Sequence, residues 1–96
     1  MYAQRDSRSD KTKEDTIMWS EGIIASPTTG NKYKYWCKHY EEGSETYGID
    51  GGRISKLTIR KLGETRDLYN YDRGLDVDCQ NDEVRAVYEI VLAKYN

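Results

Sequence analysis

The sequence predicts an α+β domain: an antiparallel meander sheet of four to five strands with one C-terminal helix packed on one face, ββββα. Three observations predict it. Residues 31–41 (NKYKYWCKHYE) alternate in character over the length of a strand. Further β-rich runs follow with only short turns between them. Val84, Val87, Tyr88, Val91, Leu92 and Tyr95 then recur at helical spacing. Strands in sequence with short connections pair as neighbours, and a terminal amphipathic helix covers one face of the sheet they make.

The first strand is expected over 17–25 (IMWSEGIIA), where β-branched and aromatic residues run into the turn cluster Ser26-Pro27-Thr28-Thr29-Gly30-Asn31. In the second strand Tyr33, Tyr35, Cys37 and His39 point one way, and Lys32, Lys34, Trp36, Lys38 and Tyr40 the other. Residues 42–52 (EGSETYGIDGG) hold four glycines and read as a long loop, with room for a fifth short strand at 45–49. In the strand over 53–61 (RISKLTIRK), Ser55, Leu57 and Ile59 point inward and Lys56, Thr58 and Arg60 outward. Leu62-Gly63-Glu64 turns the chain into a strand over 65–71, and 72–80 reads as a loop. Asn81 is a good N-cap for a helix over 82–95, and Asp82 and Glu83 complement its dipole.

The chain has 96 residues and a formal net charge of −2, enough for one domain. Residues 1–15 hold four basic and four acidic side chains among small polar ones. Such a stretch buries too little apolar surface to offset its ordering entropy, so it is expected to be a disordered polar tail ahead of a domain over 16–96. Its charged start is followed by no apolar run, which is not the pattern of a signal peptide. No apolar run approaches the roughly 20 residues of a spanning helix, so no membrane span is expected. Cys37 and Cys79 without a secretory signal point to reduced thiols and a cytoplasmic location. Phe is absent while Tyr occurs nine times and Trp twice, an amphipathic aromatic set that suits half-exposed faces.

Each constellation that could carry chemistry falls short of a motif. Cys37 and His39 share a face, but a dyad needs an orienting group and an oxyanion hole, and a structural zinc needs four ligands. The run Gly48 to Lys56 (GIDGGRISK) offers glycines for an anion nest, with Arg53 and Lys56 beside them. A strand follows it where the phosphate-binding motifs require a helix, so a tight turn is the stronger reading. Asp76-Val77-Asp78 opens like a calcium loop, but Asn81 and Val87 stand where Gly and Glu are needed. No metal, cofactor or catalytic residue is therefore expected.

Two rows remain. Lys34, Trp36, Lys38 and Tyr40, with Lys56 and Arg60, interleave cations and rings as single-strand-binding sheets do. Alternatively Trp36 lies under the helix, and Tyr33, Tyr35 and His39 form the open face. That Tyr-rich face would suit a protein partner or a homodimer. Asp76 and Asp78 belong to an acidic stretch able to meet a basic partner.

The stretch 33–76, above all YGIDGGRISKLTIRK (47–61) and YNYDRGLD (69–76), resembles a family of small domains of unknown function in Gram-positive bacteria, clostridia among them, and their phages and mobile elements. The resemblance implies no activity and no catalytic residues. Its setting implies an accessory protein that acts by binding, including inhibitors of host defence.

From the residues and this setting together, the expected function is non-enzymatic, stoichiometric binding of a protein partner. The expected surface joins the open sheet face (Lys34, Trp36, Lys38, Tyr40, Lys56), the loop with Tyr47, Asp50 and Arg53, and the acidic residues Asp76 and Asp78. The alternative is a nucleic-acid or nucleotide-binding module on the Lys/aromatic face.

Overall fold

The computed structural model describes residues 17–96; the tail expected over 1–15 lies outside them. Five strands form one antiparallel sheet in the order of the chain: β1 (Met18–Ala25), β2 (Lys32–His39), β3 (Ile54–Lys61), β4 (Asp67–Asp72) and β5 (Leu75–Val77). One helix, α1 (Asp82–Tyr95), follows. The ββββα expectation holds, with a correction to the fifth strand. It lies at Leu75–Val77, inside the stretch expected to be loop, and residues 45–49 form no strand. Three residues, Leu-Asp-Val, are too short a run to be seen as a strand; pairing with Asn70 and Tyr71 makes them one.

Period-two alternation sorts the two faces. Tyr33, Tyr35, Cys37 and His39 of β2 are buried, as are Ile54, Leu57 and Ile59 of β3 and Tyr69 of β4. They meet Val84, Val87 and Val91 of α1, all at most 1 % exposed. Burying one such side chain contributes about 1.5–3 kcal/mol, and it is this row, rather than helix propensity, that holds α1 to the sheet. The Tyr-rich face is thus the core face, which overturns the alternative that leaves it open. Buried rings find partners for their polar tips. Tyr35 and Tyr95 share a hydrogen bond at 2.7 Å, and the Tyr33 hydroxyl donates to Glu83 in the first turn of α1.

Glu83 also accepts from Thr29 and Asn31, both at 3.0 Å, so the β1–β2 turn is tied to the start of the helix. These bonds, Tyr33 first, hold the Glu83 carboxyl below its ordinary range. Burial, more than this bond, pushes the Tyr33 phenol up to about 12. Asn81 caps the helix as expected, its Oδ1 accepting from Val84 N at 2.8 Å. At the other end Asn96 clamps the loop that leads into β3. Its Oδ1 accepts from Ile54 N at 2.9 Å and its Nδ2 donates to the Ile49 carbonyl at 3.1 Å.

That clamp settles what the glycine-rich loop is for. The amides of Gly48, Gly51 and Gly52 donate to the carbonyls of Ser44, Gly48 and Ile49. These N–H groups are spent inside the loop, so they form no anion nest, and the turn reading holds. A Cβ on Gly48 would overlap the Gly52 carbonyl oxygen, and one on Gly52 would overlap the Asn96 side chain. The glycines permit backbone to pack on backbone and set Ile49, 3 % exposed, into the core.

Candidate functional site

The face of the sheet turned away from α1 is built of three cross-strand rows, which the register fixes. Trp19 pairs with Lys38, Lys38 with Lys56, and Lys56 with Asp72. The next row is Glu21, Trp36, Thr58 and Asn70, and the third Ile23, Lys34, Arg60 and Asp67. Residues opposite one another in an antiparallel pair share a face, so all twelve look outward. Trp19 is 63 % exposed and Ile23 56 % exposed, both on the edge strand β1.

The rings and cations of this face are interleaved, as the sequence indicates. The Lys34 ammonium and the Arg60 guanidinium lie 5.1 and 5.5 Å from the Trp36 ring centroid. Lys38 reaches both Trp19 (5.6 Å) and Tyr40 (5.8 Å). Most of these cations also have carboxylates. Lys34 meets Glu21 at 3.4 Å, Arg60 meets Asp67 at 2.6 Å, and Lys56 meets Asp72 at 3.8 Å. Exposed pairs of this kind add little stability, but they neutralise the face locally. Thr58, Asn70 and Asp76 continue the second row by hydrogen bonds of 2.8 and 3.1 Å, which brings Asp76 to the margin of the face.

The remaining expected site residues do not join it. Tyr47 is exposed, but its carbonyl accepts from the Tyr71 hydroxyl. Tyr71 pairs with Leu57 and packs against the helix-side core. Asp50 sits in the turn Ile49–Gly51 with φ 53°, facing Tyr88 of α1, whose phenol is raised chiefly by burial and further by the Asp50 charge. Asp78 caps the amide of Cys79 and reaches Arg85 of α1 at 3.7 Å. Tyr47, Asp50 and Asp78 therefore belong to the helix side of the molecule. The single continuous surface expected from the sequence is in fact two. Arg53 stands at the end of the sheet, where its carbonyl accepts from Tyr40 N. The residues missed by sequence reasoning are Trp19, Ile23 and Arg73. Alternation in MWSEGIIA, folded back through the turn at 26–31, is the signal that sets Trp19 beside Lys38.

The inward Cys37–His39 pair has the wrong electrostatics for a nucleophile. Burial pushes the Cys37 thiol up to about 11, where a reactive cysteine needs the opposite. His39 Nε2 shares a 2.9 Å hydrogen bond with Ser20 Oγ, and burial lowers its pKa. Both cysteines are free thiols. Among the described residues no cluster of three His, Cys, Asp or Glu could hold a metal, and no helix is long and apolar enough to cross a membrane.

Fold and face together define a class: a small α+β domain with one side of a five-stranded meander under a helix and the other, among the described residues, carrying no covering element. The chain belongs to the family described as Domain of unknown function (DUF7678), whose model matches residues 18–96. No curated protein and no solved structure matches it.

Proposed function

We propose that this domain works by stoichiometric binding to a protein partner in the cytoplasm, without catalysis, and that the partner sits on the bare sheet face. The observation that carries the reading is the face itself: an exposed Trp19 and Ile23 on an edge strand, beside mixed charges already arranged in pairs. Protein interfaces favour such aromatic anchors within a polar rim. A nucleic-acid strand lying along the whole face is less well served. Lys34 and Arg60 crowd the Trp36 ring and have their own carboxylates, and the chain carries net −2.

The resemblance to small domains of Gram-positive bacteria and their phages and mobile elements makes an accessory or anti-defence inhibitor the role in view. Capture from a Gram-positive host lysate, with and without nuclease, tests it. One protein retained in stoichiometric amount after nuclease supports the reading, and enrichment that nuclease abolishes overturns it.

A further inference from the structure

One corner of the bare face differs from the rest. Trp19, Lys38, Ser55, Lys56, Asp72 and Arg73 line a cavity of about 310 Å³ there. Three cations and one carboxylate leave this corner with a surplus of two positive charges, in a chain whose net charge is −2. The register sets Lys38 directly across from Lys56, an arrangement of like charges that a sheet resists. Lys34 and Arg60 also face each other, but each has a carboxylate of its own. At the corner Asp72 is shared between Lys56 (3.8 Å) and Arg73 (3.5 Å), and no carboxylate among the described residues lies within ion-pair distance of Lys38.

Two backbone features aim side chains into the same corner. The β2–β3 register shifts between Lys38 and His39, so that Ser55 is the extra residue of a bulge. Bulges re-aim side chains and are enriched beside binding sites. Arg73 holds φ 58°, a conformation that suits Gly and that a bulky residue rarely adopts. Its amide donates to the Ser55 carbonyl at 2.9 Å, which pins the β4–β5 turn onto the bulge. A long cation is kept where the backbone would prefer glycine. Outliers of this kind cluster at ligand sites.

We propose that this corner binds a nucleoside monophosphate. Lys38, Lys56 and Arg73 take the dianionic phosphate, the base stacks on the Trp19 ring on the side away from the Lys38 ammonium, and Asp72 accepts from a sugar hydroxyl or a base amino group. The ligand is either a free nucleotide or the phosphorylated end of a strand, since both present the same chemistry. The site shares Trp19 with the proposed partner surface, but titration of the purified chain tests it separately from partner capture.

The test is fluorescence titration of the full chain carrying Trp36→Phe, so that Trp19 is the reporter, at low salt. Adenosine monophosphate, adenosine, inorganic phosphate and a short oligonucleotide with a 5′ phosphate are the probes. Saturable quenching by the monophosphate is expected, with adenosine and inorganic phosphate each weaker by about tenfold or more, the first for want of the charge-assisted phosphate contacts and the second for want of base stacking. Tighter binding of the oligonucleotide than of the monophosphate names a strand end as the source, and the reverse names free nucleotide. Arg73→Gly is expected to weaken binding by about tenfold or more while leaving Tm unchanged or raised, because glycine suits that φ. Lys38→Gln provides a second loss of binding in a folded protein. No saturable quenching up to millimolar ligand by either phosphorylated probe overturns the site. So does binding by Arg73→Gly and Lys38→Gln equal to that of the parent.

Discussion

Alanine at position 48 should cost this protein much of its stability, and the size of the loss follows from where the new methyl would go. It would overlap the Gly52 carbonyl oxygen and come within 2.8 Å of the Ser44 carbonyl oxygen. Both are backbone atoms in the closed hydrogen-bond set of the loop, so neither can swing aside as a side chain would. Overpacking of a closed site costs about 1–3 kcal/mol. Relief by opening the loop would draw Ile49 out of the core, at about 1.5–3 kcal/mol more. A loss of about 3 kcal/mol in a domain of this size lowers Tm by roughly 12–24 °C. Gly51→Ala is the control. Gly51 has φ +74° with open space around it, so alanine there meets only the backbone penalty, about 1–2 kcal/mol. Thermal melts followed by circular dichroism compare the two. A Gly48→Ala variant melting within a few degrees of the parent, or no lower than Gly51→Ala, would refute the packing account and reopen the loop as a binding nest.

Two further outcomes follow from the helix-side core. Burial raises both thiols, Cys37 to about 11, but Cys37 is fully buried and Cys79 only half-buried, so a thiol reagent should label Cys79 in the native protein and Cys37 only after unfolding. Equal labelling rates under native conditions would contradict the placement of β2. Glu83→Gln should lower Tm at neutral pH. The native carboxyl titrates below its ordinary value of 4.5, so its contribution is complete above that value and disappears as pH falls through the lower native one. Melts of parent and variant should therefore converge in acid, and a constant gap down to low pH would contradict the Tyr33–Asn31–Glu83 tie.

Much of this architecture is legible in the residues because β2 and α1 are strongly periodic. The alternation from Lys32 to His39 fixes two faces, and the Val84, Val87, Val91 stripe supplies a cover for one of them. Which face is covered depends on burial, and here Tyr33 and Tyr35 go inside because their hydroxyls find Glu83 and Tyr95 on the helix. Those partners lie 50 and 60 residues away, beyond the reach of local pattern. Separation along the chain also hides the glycine loop's purpose, since Asn96 fills the space a Cβ at Gly52 would take. Likewise, separation of Tyr47, Asp50 and Asp78 from the Lys/Trp face follows from docking to α1. Arg73 escapes notice because a turn written Asp-Arg-Gly suggests glycine as the special residue, whereas it is Arg73 that carries the positive φ.

The account turns on which side of the sheet meets the partner, and paired variants on opposite sides test that most directly. Trp19→Ala removes the most exposed ring of the bare face, and Ile90→Ala removes an exposed apolar side chain of α1, 39 % exposed. Circular dichroism should show both folded, because neither side chain lies in the core. In capture from host lysate, Trp19→Ala should lose the partner and Ile90→Ala should retain it. Retention by Trp19→Ala together with loss by Ile90→Ala would place the interface on the helix and contradict the account.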